Sequence, residues 1–166
     1  MSIIKIEKMD ASHWHEVKRI YNVGIATKNA TFQTEAPNWV SWDQNHRQDC
    51  RLIAISDDRV AAWAALSNVS NRCVYAGVAE VSIYVDSEFR GLGIGDKLLK
   101  QLILESEQNG LWTLQSGIFP ENSASLRLHL KNGFRTLGIR EKIGKMDSVW
   151  RDVVLLERRS QMIGIC

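Results

Sequence analysis

The stretch Arg90-Gly91-Leu92-Gly93-Ile94-Gly95 decides the fold, because it joins a strand pattern to a helix pattern. In residues 75–85 before it, apolar side chains alternate with others, which predicts a strand. The segment after it repeats leucine at helical spacing and ends at Asn109-Gly110, which is typical of a helix C-terminus. Its three glycines let the backbone approach a ligand closely, and the helix start presents free N–H groups. The stretch therefore predicts a phosphate site where strand and helix meet.

Two common phosphate loops do not fit this stretch. A P-loop needs a lysine followed by Ser or Thr after its last glycine, whereas Asp96-Lys97 here precedes a leucine. A Rossmann fingerprint needs Gly-x-Gly-x-x-Gly in the first βαβ unit, whereas the glycines here alternate in the middle of the chain. A glycine-rich turn that binds no ligand is the remaining alternative.

Composition limits the classes of protein to which the chain can belong. Its 166 residues suit one domain, 1–166. The 21 basic and 19 acidic residues give a net charge of +2, which disfavours a general nucleic-acid binder. No apolar run approaches the roughly 20 residues that span a bilayer, and the first ten residues lack a secretory signal. Cys50, Cys73 and Cys166 form neither a disulfide framework nor a zinc pattern. We expect a cytoplasmic protein with no metal, nucleic-acid or membrane partner.

Hydrophobic patterns predict the element order β-α-α-β-β-β-α-β-α-β-β, an α/β domain whose mixed sheet has helices on both faces. The predicted strands are residues 3–6, 51–56, 60–66, 75–85, 111–118, 134–139 and 149–157. The predicted helices run from Asp10 or Ser12 to Ile25, from Pro37 past Trp42, from Gly95 to Asn109, and over 122–132.

Several segments resemble the GCN5-related N-acetyltransferases (GNAT). Residues 90–95 match the pyrophosphate loop Arg/Gln-x-x-Gly-x-Gly/Ala, and residues 122–134 match Asn-x-x-Ala/Ser…Leu-Tyr…Gly-Phe. Within that superfamily, four segments resemble the phosphinothricin and methionine sulfone/sulfoximine acetyltransferases: Thr31-Phe32-Gln33-Thr34-Glu35, Glu80-Val81-Ser82-Ile83-Tyr84-Val85, Leu128-His129 and Trp150-Arg151-Asp152. The matches extend from about residue 20 to residue 155. The resemblance implies a mostly antiparallel central sheet with a splayed strand pair that holds the cofactor.

The resemblance also implies how acetyl-CoA would bind. Its pantetheine would pair with the strand backbone like an added strand, and Asn122 would bond the pantetheine arm. Its pyrophosphate would lie on the backbone amides of Gly91 to Asp96, which we call the glycine turn. The implied cofactor-binding residues are Ile83, Tyr84, Val85, Arg90, Gly91, Leu92, Gly93, Ile94, Gly95, Asp96 and Asn122.

Two residues are candidates for proton transfer. Glu80 is the candidate general base for the substrate amine, against the alternative of a glutamate on a solvated strand face. His129 stands where many acetyltransferases have a tyrosine, so it could protonate the departing CoA thiolate, against the alternative of a packed helix histidine. The candidate substrate-binding residues are Glu80 again, Phe32, Glu35, Ser82 and Arg72, which could clamp a substrate carboxylate.

The sequence predicts an N-acetyltransferase that acts on the α-amine of a small amino acid such as methionine sulfone, methionine sulfoximine or phosphinothricin. The alternatives are an acetyltransferase for another small amine or a protein N-terminus, and a non-catalytic acyl-CoA-binding module. The resemblance also implies a homodimer. Among the six tryptophans, Trp14, Trp63 and Trp112 are expected in the core. Trp39, Trp42 and Trp150 are expected to wall a substrate pocket or a subunit contact.

Overall fold

The computed structural model describes residues 2–166 as one seven-stranded sheet with helices on both faces. In chain order the strands and helices are β1 (Ile4–Lys8), α1 (Trp14–Ala26), α2 (Trp39–Asn45), β2 (Leu52–Ser56), β3 (Arg59–Asn68), β4 (Val78–Val85), α3 (Ile94–Gln108), β5 (Thr113–Ile118), α4 (Ser123–Lys131), β6 (Arg135–Met146) and β7 (Val149–Arg159). The sheet order is β1-β2-β3-β4-β5-β7-β6. Every neighbouring pair is antiparallel except β4 and β5. The predicted fold class is confirmed.

The parallel pair β4–β5 is the feature that positions the site. The two strands pair only over three residues each, Val78 to Glu80 against Thr113 to Gln115. Beyond Glu80, β4 stays bonded to β3 as far as Val85, and β5 stays bonded to β7 as far as Ile118. Each strand therefore has one unpaired edge beyond Glu80, and the sheet opens there into a split.

The two faces of the sheet carry different cores. On one face α3 buries Leu98, Leu99 and Leu102 in the main apolar cluster, against alanines of β3 and β4. On the other face α1 and α2 pack on an aromatic cluster whose members are Trp14, Tyr21, Trp39, Trp42, Trp63 and Tyr84. The small alanines at the sheet centre let helices approach both faces closely.

Two predicted strands have one end that differs from the structure by more than two residues. The strand expected from residue 75 begins at Val78, because Cys73–Tyr75 forms a 3-10 turn and Gly77 packs against the ring of Trp112. The strand expected over 134–139 extends to Met146, and its second half is an exposed ribbon paired with β7. A short apolar pattern does not reveal this ribbon, because most of its side chains are solvated.

The expectation for Trp42 was wrong, and that for Trp112 was only partly met. Trp42 is 1% exposed and lies among Trp14, Trp39 and Trp63, so it belongs to the aromatic core and offers almost no surface to a ligand or a subunit. Trp112 is half-buried outside both core clusters.

In residues 2–166 no helix is long and apolar enough to cross a membrane.

Candidate active site

Two adjoining cavities open at the split between β4 and β5. The first, the inner cavity, has a volume of about 520 Å³ and is lined by Glu80, Ser82, Phe32 and His129 among others. The second, the outer cavity, has a volume of about 720 Å³ and is lined by the glycine turn before α3. The two share the lining residues Ala30, Ile83, Tyr84, Asn122 and Ser125, so one extended ligand could occupy both.

The glycine turn keeps the N-terminus of α3 open. Gly91 and Gly93 have φ of +77° and +76°, which side-chain-bearing residues rarely adopt, and a Cβ on either would meet nothing within 4 Å. Gly93 is the N-cap of α3, and no side chain caps the helix there. The first N–H groups of α3 therefore remain available to an anion in the outer cavity.

Most predicted cofactor residues of this segment are brought together. Arg90, Gly91, Gly93, Ile94, Gly95 and Asp96 all line the outer cavity. Leu92 does not line either cavity, and its side chain is 59% exposed. The structure thus gathers the turn as the sequence predicted, with Leu92 pointing away from it.

Asp96 contributes to the site by holding α3 and α4 together. Its carboxylate accepts hydrogen bonds from Lys100 at 2.7 Å and from Asn132 at 3.0 Å, and it pairs with Lys131 at 3.2 Å. These bonds lower the pKa of Asp96 to about 2, so it is ionised at neutral pH. Its side chain is already occupied, and only its backbone N–H is available to a ligand.

The free edge of β4 runs past both cavities. Ile83, Tyr84 and Val85 pair with β3 on one side, and β5 has already separated from them on the other. The Tyr84 ring stacks on Trp63 with centroids 4.9 Å apart, and burial raises the pKa of its hydroxyl. The aromatic core therefore fixes the strand edge that the sequence predicted for the cofactor.

Asn122 lies at the junction of the two cavities and caps α4. Its side-chain oxygen accepts a hydrogen bond from the Ser125 N–H, and its amide donates to the carbonyl of Asn29. One amide hydrogen remains for a ligand. This position suits the predicted contact to an extended arm passing from one cavity to the other.

Glu80 lies at the base of the split and is the last residue of β4 that pairs with β5. It lines the inner cavity, and its Oε1 lies 4.0 Å from the point that a Cβ on Gly117 would occupy. Solvent reaches the carboxylate through the cavity, yet partial burial raises its pKa, while a hydrogen bond from Gln115 and the charge of Arg140 act in the opposite direction. A carboxylate in this setting is suited to accepting a proton.

His129 is 1% exposed and lines the inner cavity. Its Nδ1 lies 2.8 Å from the carbonyl oxygen of Ser125, which can only accept, so Nδ1 carries the proton. Nε2 is buried and has no partner within residues 2–166. Burial lowers the pKa of the ring, which makes it neutral at pH 7 and leaves Nε2 as a proton acceptor. In this tautomer Nε2 must first accept a proton before it can donate one to the thiolate.

The predicted substrate residues do not all meet. Phe32 and Ser82 line the inner cavity with Glu80, whereas Glu35 and Arg72 line neither cavity. Arg72 lies in the loop before β4 with its guanidinium 5.4 Å from the Tyr75 ring. Trp150 is 56% exposed on the β6–β7 ribbon and is also outside the lining of both cavities.

Two aromatic contacts that the sequence did not reveal shape the inner cavity. Phe32 packs edge-on against Phe119, with ring centroids 4.9 Å apart. The same ring lies over Gly144 of β6, where a Cβ would come within 2.7 Å of it. A glycine inside a strand often marks a close approach, but β6 also contains Gly138, where a Cβ would meet nothing, so the sequence does not single out Gly144. Among residues 2–166, no group of three or more His, Cys, Asp or Glu could hold a metal ion.

Known acetyltransferases resemble the chain over most of its length. Residues 14–134 match the profile of the acetyltransferase (GNAT) family. YwnH of Bacillus subtilis (strain 168), a candidate phosphinothricin acetyltransferase, is 34% identical over 86% of this chain and 90% of its own length. An L-methionine sulfoximine/L-methionine sulfone acetyltransferase of Pseudomonas paraeruginosa (strain DSM 24068 / PA7) is 28% identical over 83% and 84%.

Structural comparison agrees with the sequence comparison. The crystal structure of another candidate phosphinothricin N-acetyltransferase is 31% identical, with a TM-score of 0.85 over 95% of this chain and 98% of that one. The GNAT profile spans most of the chain, including β4, the glycine turn and α4. The split sheet, the open turn before α3 and the matched profile lead to one conclusion: this chain belongs to the acetyltransferase (GNAT) family.

Proposed function

We propose that this protein is an acetyl-CoA-dependent N-acetyltransferase that acetylates the α-amine of a small amino acid or analogue. The observation that carries the proposal is the position of Glu80, whose carboxylate lines the inner cavity at the base of the split, while the adjoining outer cavity is lined by an open helix N-terminus. The relatives' names support an amino-acid analogue such as methionine sulfone, methionine sulfoximine or phosphinothricin as substrate.

The residues of the outer cavity fit acetyl-CoA. The uncapped turn formed by Gly91, Gly93 and the start of α3 offers backbone N–H groups to a pyrophosphate. The free edge of β4 over Ile83–Val85 offers backbone groups to an amide-bearing arm, and Asn122 offers one amide hydrogen. Acetyl-CoA supplies a reactive acetyl thioester, which this arrangement would direct towards the inner cavity.

Glu80 acts as the base that prepares the amine. An α-amine is mostly protonated near neutral pH and attacks only after losing a proton. The Glu80 carboxylate takes that proton, directly or through one water, and the raised pKa brings its basicity closer to that of the amine.

His129 acts as an acceptor for the second proton. The nitrogen must lose another proton when the N–C bond forms, and the departing sulfur must gain one. The unpartnered Nε2 of the neutral ring takes the former and can pass it to the sulfur. His129 therefore works as a relay.

Three further properties belong to the proposal. The chain acts as one domain, residues 1–166, in the cytoplasm, which agrees with the absence of disulfides between its three cysteines. It forms a homodimer, for which the exposed apolar side chains Leu137, Ile139, Ile143, Val149 and Trp150 of the β6–β7 ribbon provide a surface. Sedimentation velocity tests the dimer, which a monomer at micromolar concentration would contradict.

The function is tested by thiol release from acetyl-CoA with a panel of acceptors. The panel contains methionine sulfone, methionine sulfoximine, phosphinothricin, ordinary amino acids, polyamines and short peptides. We expect release with the amino-acid analogues and an N-acetylated product by mass spectrometry. Release with peptides alone would contradict the small-molecule substrate, and binding of acetyl-CoA without any release would indicate a non-catalytic module.

A further inference from the structure

The loop between α1 and α2, residues 27–38, lines both cavities. Thr27, Asn29 and Ala30 line the outer cavity, and residues 30–34 line the inner cavity. The loop contains no helix or strand, so the side chains around it decide its shape. The proposed function, on which this inference rests, therefore needs residues that hold this loop in place.

The α1–α2 loop begins with a conformation that its surroundings must hold. Lys28 has φ of +60°, in the left-handed region that residues with a side chain rarely adopt. Such a conformation persists where the surrounding contacts enforce it. The Lys28 ammonium pairs with Asp147 at 3.0 Å, but the two side chains are 62% and 68% exposed, so this ion pair contributes little. The contact that holds Lys28 is made to its backbone.

Arg151 of β7 makes that backbone contact. Its Nη1 donates a hydrogen bond to the Lys28 carbonyl at 2.8 Å, and its side chain is only 15% exposed. Because the donor is charged and mostly shielded from water, this hydrogen bond is a strong one. The next carbonyl of the loop, that of Asn29, accepts a hydrogen bond from the Asn122 amide at 3.2 Å. Two consecutive carbonyls are therefore fixed where the loop enters the cavities.

The same guanidinium also contacts the opposite wall, the β5–α4 loop of residues 119–122. Its Nη2 donates to the Glu121 carboxylate at 3.2 Å, and its Cζ lies 4.0 Å from the centroid of the Phe119 ring. Glu121 lines the outer cavity and Phe119 the inner one. Phe119 in turn packs edge-on against Phe32 of the α1–α2 loop. Arg151 thus joins the two loops that wall both cavities, although it lines neither cavity itself.

We propose that Arg151 is a positioning residue, which fixes the α1–α2 loop against the β5–α4 loop and thereby sets the shape of the inner cavity. A guanidinium suits this role because its planar fork bonds two acceptors while its face stacks on an aromatic ring. A lysine ammonium has neither a fixed fork nor a flat face. Arg151 acts on the acceptor substrate through loop residues 30–34, without touching it.

The first test is limited proteolysis of the native protein by trypsin. Trypsin recognises the peptide bond between Lys28 and Asn29, and the carbonyl of that bond is the one that Arg151 holds. We expect Arg151→Ala to speed cleavage at this bond about tenfold or more, because a hydrogen bond from a charged group is lost. Cleavage after Lys97, inside α3, requires wider unfolding and should rise less.

The second test is steady-state thiol release from acetyl-CoA with methionine sulfone. Arg151→Ala should raise KM for methionine sulfone about tenfold or more through the same lost hydrogen bond. Its kcat should stay close to the wild-type value, because Glu80 and His129 lie on β4 and α4. Arg151→Met retains apolar contact with Phe119 but neither hydrogen bond, so it should behave like Arg151→Ala. Arg151→Lys keeps the charge and should restore part of both effects.

Arg158→Ala is the matched control. Arg158 lies on the same strand, pairs with Glu107 of α3 at 3.0 Å and lines neither cavity, so cleavage after Lys28 and KM should remain as in the wild type. Wild-type cleavage after Lys28 in Arg151→Ala, an equal rise after Lys97, or an unchanged KM would overturn the proposal. A wild type that releases no thiol with any acceptor would refute the proposed function instead, and the proteolysis would still show whether Arg151 holds the loop.

Discussion

The glycine turn gives a prediction whose size follows from the structure. Gly93 at the start of α3 and Gly110 just after its end have nearly equal φ values, +76° and +79°, and a Cβ on either meets nothing within 4 Å. Alanine at either position must adopt the left-handed region, which costs about 1–2 kcal/mol. For a chain of this size that lowers Tm by about 2–8 °C. Gly93→Ala and Gly110→Ala should therefore lose the same stability.

The two variants should differ in cofactor binding, because only Gly93 lines the outer cavity. Its new Cβ would project into the open space at the turn and would hold a bound phosphate away from one backbone N–H. Losing one hydrogen bond to a charged group costs about 1.5–3 kcal/mol, which raises Kd by about 10- to 150-fold. Calorimetric titration with CoA measures Kd, and thermal unfolding measures the stability loss.

The expected result is weaker CoA binding in Gly93→Ala and wild-type binding in Gly110→Ala at matched Tm. Equal Kd values in the two variants would refute the reasoning, because the turn would then play no part in binding. A far larger Tm loss in one of them would show that the two positions are not equivalent.

Three further outcomes follow from the inner cavity. In the wild type, kcat/KM should fall as pH drops through the raised pKa of Glu80, because only the ionised carboxylate accepts a proton, and a flat acid limb would argue against this. His129→Asn should keep a donor for the Ser125 carbonyl but lose the proton acceptor Nε2, so kcat should fall about tenfold or more while CoA binds normally. An unchanged kcat would show that His129 is not a proton relay. Gly144→Ala should displace the Phe32 ring and raise the substrate KM, whereas Gly138→Ala on the same strand, where a Cβ meets nothing, should leave KM unchanged. Equal KM values in the two variants would contradict the role of the Phe32–Gly144 contact in shaping the cavity.

Local patterns predicted the fold because each element carries its own signal. The alternation before the glycine turn and the helical leucine spacing after it are both confirmed by β4 and α3. The sequence predicted the turn because positive φ values, as at Gly91 and Gly93, favour glycine. Trp42 was misjudged because a tryptophan on a short helix suits a pocket wall as well as a core, and only packing against Trp14 and Trp63 decides.

Long-range contacts account for what the sequence did not reveal. Arg72 precedes the strand that carries Glu80, which made it the natural candidate for a carboxylate clamp. Arg140, whose charge acts to lower the pKa of Glu80, lies 60 residues beyond Glu80 in the sequence, and the pairing of β6 with β7 and of β7 with β5 brings the two closer. The tautomer of His129 likewise depends on one carbonyl that a helix turn places next to Nδ1. Such relations depend on register and helix geometry, which hydrophobic periodicity does not encode.

The most direct test of the central claim is the turnover of Glu80→Gln with methionine sulfone and acetyl-CoA. Glutamine preserves the shape of the side chain but cannot act as the general base in the inner cavity. We predict that kcat falls by about 100-fold or more while Kd for CoA stays at its wild-type value. Wild-type turnover in Glu80→Gln would contradict the account, because the amine would then lose its proton elsewhere.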